Sequence, residues 1–355
     1  MRVLITGGAG FVGANLAVGL RRRHSDWDVV ALDNLMRRGS ELNLPRLREA
    51  GVEFVHGDVR EPADLAAAGG FDAMIEGSAE PSVLAGFADA SYSVQTNLLG
   101  AFNCLQRARE EQAFVVFLST SRVYPVAPQL ELALEETETR FELAADQPVA
   151  GAGPAGISEN FPMAGSRTLY GATKLSAEHL IEEYADAFGL RAVTNRCGVI
   201  AGPWQMGKVD QGVFSWWLLS HRFGRPLSYI GYGGSGKQVR DLLHVEDLVD
   251  LVDEQLCNPQ RWSGVIANVG GGREGSLSLL ETTELCRELT GNEVPIGVEP
   301  ENRPGDVPVY LSDCGHLHSL TSWRPRRGPR DVLADLLDWS ADHEDELRAA
   351  LGFAQ

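Results

Sequence analysis

Lysine is scarce in this chain, with three among 31 basic residues, and basic charge as a whole is outweighed by 49 acidic side chains. The formal net charge of −18 at pH 7 repels nucleic acid and anionic lipid, so neither is an expected partner. Any phosphate must be held by local groups rather than by a global field. Cysteine is sparse too: the five, at 104, 197, 257, 286 and 314, are odd in number and form no CxxC. That excludes a disulfide framework and a cysteine zinc site, and it suits reduced thiols in the cytoplasm. Among the eight histidines the close pair is His316/His318, with no carboxylate at ligand spacing, so no metal is expected. Apolar runs are only strand-sized, such as residues 114–118, and none could span a bilayer. The first residues turn glycine-rich at once and leave no apolar segment of a secretory signal. Internal repeats and low-complexity segments are lacking.

What is present is a chain of 355 residues, 44% apolar, enough for a large core with a smaller lobe. Short β-rich runs at 2–6, 28–32, 52–55, 71–75 and 114–119 alternate with segments of helical spacing, which implies parallel βαβ units. A helix over 170–188 and a strand over 191–196 add one more unit. The expected fold is α/β: a Rossmann-like doubly wound parallel sheet with a smaller C-terminal α/β substrate lobe. The sheet domain is expected over residues 1–200 and the lobe mainly over 201–355, with some later elements crossing back to the sheet. Residues 126–162, with four prolines and an acidic run at 135–138, read as an ordered insertion or a flap.

Thr6-Gly7-Gly8-Ala9-Gly10-Phe11-Val12-Gly13 follows the first strand and opens a helix. A pyrophosphate needs bare backbone N–H groups at a helix N-terminus, and the turn needs residues that accept positive φ. Gly7 and Gly10 serve the turn, Phe11 and Val12 offer amides, and Gly13 lets helix and strand pack closely. A glycine triplet among 39 glycines is weak by itself. Asp33 strengthens it, because it ends the second strand, where a carboxylate accepts hydrogen bonds from ribose hydroxyls and repels a 2′-phosphate. NAD is therefore the expected cofactor, with Asn34 beside Asp33; Arg37 and Arg38 close behind leave NADP as the less favoured alternative. Asp58 and Val59 end the third strand; Asp58 suits either the adenine amino group or a helix N-cap ahead of Glu61-Pro62.

Tyr170-Gly-Ala-Thr-Lys174 carries the chemistry. Residues i and i+4 share a helix face, so the phenol and the ammonium point the same way. Lowering a phenol from about pKa 10 by about three units needs roughly 4 kcal/mol, which a nearby ammonium and a positive nicotinamide ring can supply. With seven tyrosines and three lysines in the chain, a chance pairing at this spacing is rare. The strand over 114–119 ends in Ser119-Thr120-Ser121, where a hydroxyl can meet the reacting oxygen of a substrate.

Together these residues resemble the extended short-chain dehydrogenase/reductases, the NAD-dependent epimerase/dehydratase family. The resemblance runs from Thr6 to about Arg330 and puts Tyr170 and Lys174 on the family's YxxxK pair and Thr120 on its Ser/Thr position. Within the family the chain is similar to CDP-paratose/tyvelose 2-epimerases. The residues that carry this are Asp33-Asn34-Leu35, Phe54-Val55-His56-Gly57-Asp58, Glu136-Thr137-Glu138-Thr139-Arg140, Asp210-Gln211-Gly212, Gly236-Lys237-Gln238-Val239-Arg240-Asp241, and Ser276-Leu277-Ser278-Leu279-Leu280. The resemblance implies a homodimer and a nucleotide-sugar substrate, inverted at C2 of a CDP-linked deoxyhexose by transient oxidation. A 4-epimerase, dehydratase, decarboxylase or net dehydrogenase is the alternative. Arg240 and Arg303 fall where relatives hold the nucleotide's phosphates; salt bridges to Asp241 and Asp306 are the less favoured alternative. The chain departs from the family at Glu76, where histidine is common, at Gly77-Ser78, Glu80 and Pro125, and at Ala201, where many members have tyrosine.

Overall fold

The computed structural model describes residues 1–82, 89–206 and 212–351. Asp210 and Gln211 of the resembling stretch lie outside the described residues. Two compact units interleave along the chain: one is built from residues 1–123, 168–196 and 248–266, the other from 124–167, 197–247 and 267–355.

A seven-stranded sheet organises the first unit. Its strands are β1 (Arg2–Thr6), β2 (Asp28–Asp33), β3 (Glu53–His56), β4 (Ala73–Glu76), β5 (Phe114–Thr120), β6 (Arg191–Cys197) and β7 (Val265–Val269). They lie in the order β7-β6-β5-β4-β1-β2-β3. β1 pairs in parallel with β2 and β4, β2 with β3, and β4 with β5. The chain leaves β1 toward β2 and β3, then returns to the other side as β4, so the strand order reverses between β1 and β4. In such sheets ligands gather outside the carboxyl ends of the strands at this reversal.

The strands end slightly later than their apolar runs. β2 runs on to Asp33, β3 to His56 and β4 to Glu76, because the ladders continue: Asp33 pairs with His56, and Thr6 with Glu76. Acidic side chains thereby end the two strands that flank β1. Helices α1 (Phe11–Arg23), α2 (Asn43–Glu49), α3 (Pro62–Ala67), α4 (Gly100–Glu110) and α5 (Leu169–Phe188) belong to the same unit. Its core joins Leu4, Leu32, Met74, Val115 and Phe117 of the strands to Cys104 and Leu105 of α4 and Ala177 and Ile181 of α5. Burying a large apolar side chain of this kind stabilises by about 1.5–3 kcal/mol, so strand runs with two apolar faces favour a sheet that is covered on both sides.

The second unit holds a four-stranded sheet from Val199–Ala201, Val239–His244, Ser276–Ser278 and Val309–Tyr310. Its core includes Phe214, Trp217, Leu333, Leu336 and Trp339. The segment 126–162 folds onto this unit. The hairpin of Leu134–Glu136 and Phe141–Leu143 is tied at its turn to two distant stretches. Lys237 Nζ donates to Glu136 Oε1 and to the Thr137 carbonyl, both at 2.8 Å. Ser278 Oγ donates to the Thr139 carbonyl at 2.8 Å, and Thr139 Oγ1 to Glu281 at 2.8 Å. Three of the resembling stretches thus meet in one place. Among the described residues, no helix is long and apolar enough to cross a membrane.

Candidate active site

The glycine-rich turn after β1 is sterically demanded. Gly7 has φ +65°, the left-handed region that favours glycine. A Cβ on Gly13 would fall 2.2 Å from the Gly7 carbonyl oxygen, and one on Gly10 would fall 3.1 Å from it. Gly10 is the N-cap of α1 and no side chain caps it. The amides of Phe11, Val12 and Gly13 therefore open the helix with no carbonyl four residues back to accept them. Asn43 braces the turn by donating to the Ala9 carbonyl at 2.9 Å. The sequence reading missed this residue, which lies 34 positions away with no local signal to mark it.

Asp33 faces the same turn. Its Oδ2 accepts the Ala9 N–H at 3.1 Å and its Oδ1 the Leu35 N–H at 2.8 Å. Burial pushes the carboxyl up from the ordinary range, and these backbone N–H groups pull against that push. Asn34 Nδ2 donates to Asp58 Oδ2 at 2.9 Å, which links two of the expected site residues. Asp58 is also gripped by Arg60, through Nε at 2.9 Å and Nη2 at 2.6 Å, and this contact holds its carboxyl down at about 2. The helix-cap alternative for Asp58 does not hold. The N-cap of α3 is Glu61, and the Asp58 backbone N–H donates to Asp64 instead. Val59 is buried in the core behind.

At the sheet's centre, Thr168 caps α5 by accepting the Gly171 N–H at 3.2 Å, which puts Tyr170 and Lys174 in the helix's first two turns. Lys174 is almost wholly buried. Its Nζ lies 3.3 Å from Glu76 Oε2 and 4.4 Å from the centre of the Phe117 ring. Ser78 Oγ donates to the other oxygen of Glu76. Half-buried Tyr170 stands one turn before Lys174.

The structure separates the two hydroxyls at the end of β5. Ser119 Oγ donates to Glu178 Oε1 at 2.5 Å, and Glu178 is itself gripped by Arg196, with Nη2 at 2.7 Å. Thr120 Oγ1 accepts the Arg122 N–H at 3.2 Å and keeps its own proton to donate. The first hydroxyl is committed to the helix, whereas the second can meet a substrate oxygen.

Arg240 and Arg303 belong to the second unit. Arg240 Nη2 pairs with Asp306 Oδ1 and bonds the Val307 carbonyl, both at 2.7 Å. Asp241 is fully buried on the opposite side of its strand and accepts the N–H groups of Gly272 and Ser312 at 3.2 and 3.3 Å. Of the two salt bridges weighed for Arg240, the one to Asp306 forms. Half-buried Arg303 sits in the same loop as Asp306, and its carbonyl accepts the Asp306 N–H at 3.1 Å.

Comparison with known proteins shows the family. The profile of the NAD dependent epimerase/dehydratase family matches residues 3–270. The chain is 30% identical to CDP-paratose 2-epimerase from Salmonella typhi, over 96% of this chain and 99% of that protein. It is 27% identical to dTDP-glucose 4,6-dehydratase from Mycobacterium tuberculosis, over 97% and 94% respectively. The crystal structure of Thermus thermophilus UDP-glucose 4-epimerase in complex with NAD superposes with a TM-score of 0.75 at 26% identity, covering 96% of this chain and 98% of that one. With the profile spanning most of its length and a relative matched nearly end to end, the chain belongs to the NAD dependent epimerase/dehydratase family and is an NAD-dependent enzyme.

Proposed function

We propose that the protein is a nucleotide-sugar epimerase that inverts C2 of a CDP-linked deoxyhexose. The observation that carries this reading is the Tyr170–Lys174 pair on α5, set beside the ends of β4 and β5 in a chain whose similarity to a CDP-paratose 2-epimerase runs nearly end to end. The first unit fits the cofactor: the turn that a Cβ would fill, the uncapped start of α1, and a carboxylate at the end of β2 suit a pyrophosphate and a ribose. NAD, when bound, supplies the reversible hydride acceptor. The residues do the rest. The Tyr170 phenol takes the sugar hydroxyl proton and returns it, with the Lys174 ammonium making the phenol a stronger acid. Thr120 donates to the reacting oxygen and fixes its position. Arg240 and Arg303 hold the diphosphate by guanidinium contacts, Arg240 turning from Asp306 to do so.

Incubation with CDP-, UDP-, GDP- and dTDP-linked sugars in deuterated water tests the reaction. A CDP-deoxyhexose should be inverted, and its product should carry no deuterium at the inverted carbon, because Tyr170 handles only the hydroxyl proton. Solvent deuterium at that carbon would mean inversion by deprotonation and would end the proposed mechanism.

Asp33→Ala tests the ribose assignment. Losing a charged hydrogen-bond acceptor costs about 1.5–3 kcal/mol, or roughly 10- to 150-fold in NAD affinity. NADP should weaken far less, since the carboxylate no longer repels its 2′-phosphate. Calorimetric titration of both nucleotides checks this, and equal losses would move the ribose away from Asp33.

A further inference from the structure

Glu76 has no part in the chemistry above, yet it lies against that chemistry's cation. It ends β4, at the point where the strand order reverses, and its side chain is 2% exposed, as is that of Lys174. The two charges lie 3.3 Å apart, and the Phe117 ring covers the ammonium from β5. The other titratable groups around the pair are few. Cys104 of α4 faces both charges, and burial pushes its thiol well above the usual range, so it stays neutral. Tyr170 stands one turn back on α5. Glu178, one turn forward, is bound by Arg196 and Ser119. Among the described residues, Glu76 is thus the carboxylate that meets Lys174.

We propose that Glu76 is a positioning residue that holds the Lys174 ammonium in its buried place, moderates its pull on the Tyr170 phenol, and so sets the pH range of catalysis. This rests on the role given to Tyr170 above. The ion pair at 3.3 Å fixes the ammonium between the Phe117 ring and the end of β4. The same carboxylate offsets part of the positive field that Tyr170 feels. Removing an anion lowers the pKa of every neighbouring acid. Without Glu76 the Lys174 ammonium acts on the phenol unopposed, and the phenol should ionise at lower pH.

Glu76→Gln keeps the shape of the side chain and removes the charge; its one carbonyl oxygen can accept from Lys174 while its amide N–H donates to the Ser78 hydroxyl, which turns to accept. In NAD-loaded protein, the ultraviolet absorbance of phenolate, taken as the difference between each protein and its Tyr170→Phe counterpart, isolates the titration of Tyr170. Its midpoint should fall by about one pH unit or more in Glu76→Gln. The acid limb of the kcat–pH profile should move down with it, whereas a merely structural role would lower the profile without moving it. An unmoved midpoint overturns the inference. If no sugar nucleotide is turned over but the midpoint still falls, the inference stands and the proposed reaction falls. If turnover is found with the midpoint unmoved, the reaction stands and the inference falls. Should Glu76→Gln not fold, Glu76→His, neutral above about pH 7, replaces it with the same expected shift.

Discussion

Tyr170→Phe should lower kcat by about 10²–10⁴-fold, the usual share of a positioned proton-transfer group, while the fold and NAD binding stay nearly intact. The geometry makes this substitution clean. Tyr170 lies in the first turn of α5, where the helix start is secured by Thr168 accepting the Gly171 N–H rather than by the phenol. Its neighbour Thr173 bonds the Tyr170 carbonyl, a backbone contact that phenylalanine keeps. Lys174 stays on Glu76 and Phe117 whatever stands at position 170. The substitution removes the proton carrier, so the deficit should appear in kcat and leave KM for the sugar nucleotide close to its original value. Steady-state kinetics beside a measurement of bound NAD would show this. Retention of most activity would mean that another group moves the proton, and the YxxxK assignment would fall.

The parts of this molecule that could be read from its sequence are those fixed by neighbours in the chain. The glycine turn, Asp33 at a strand end and the i, i+4 pair on α5 are local patterns, and each occupies the element expected for it. What escaped depended on long-range partners. Ser119 and Thr120 are adjacent and chemically alike, and only Glu178, 59 positions away, removes Ser119 from contention. Glu76 stood out as a departure, but its partner lies 98 positions on. Arg240 shows the opposite case, in which a local rule had decisive force. Successive residues on the strand Val239–His244 point to opposite faces, so Arg240 cannot pair with the adjacent Asp241 and meets Asp306 across the loop. For Asp58 the signal was local and was passed over, since Arg60 lies two residues further on.

Arg196→Met should destabilise the protein by about 3–5 kcal/mol, the usual cost of breaking a buried ion pair from one side. Glu178 is 1% exposed at its side chain and Arg196 8%, and the guanidinium reaches both carboxylate oxygens, with Nε at 3.2 Å from each and Nη2 at 2.7 Å from one. Removing Arg196 leaves the Glu178 carboxylate with the Ser119 hydroxyl as its remaining described donor in surroundings that cannot hydrate it. The pair also has a geometric role. It joins α5, which carries Tyr170 and Lys174, to the end of β5, which carries Thr120, and to β6. Urea unfolding of Arg196→Met, of Glu178→Gln and of the double variant would separate the two contributions. The double variant, with no buried charge left, should recover much of the loss, and the gap between it and the summed single variants measures the coupling. If Arg196→Met unfolds at nearly the urea concentration of the unsubstituted protein, the carboxylate is not held as described. The assignment of Thr120 over Ser119 as the substrate-facing hydroxyl would then lose its structural basis.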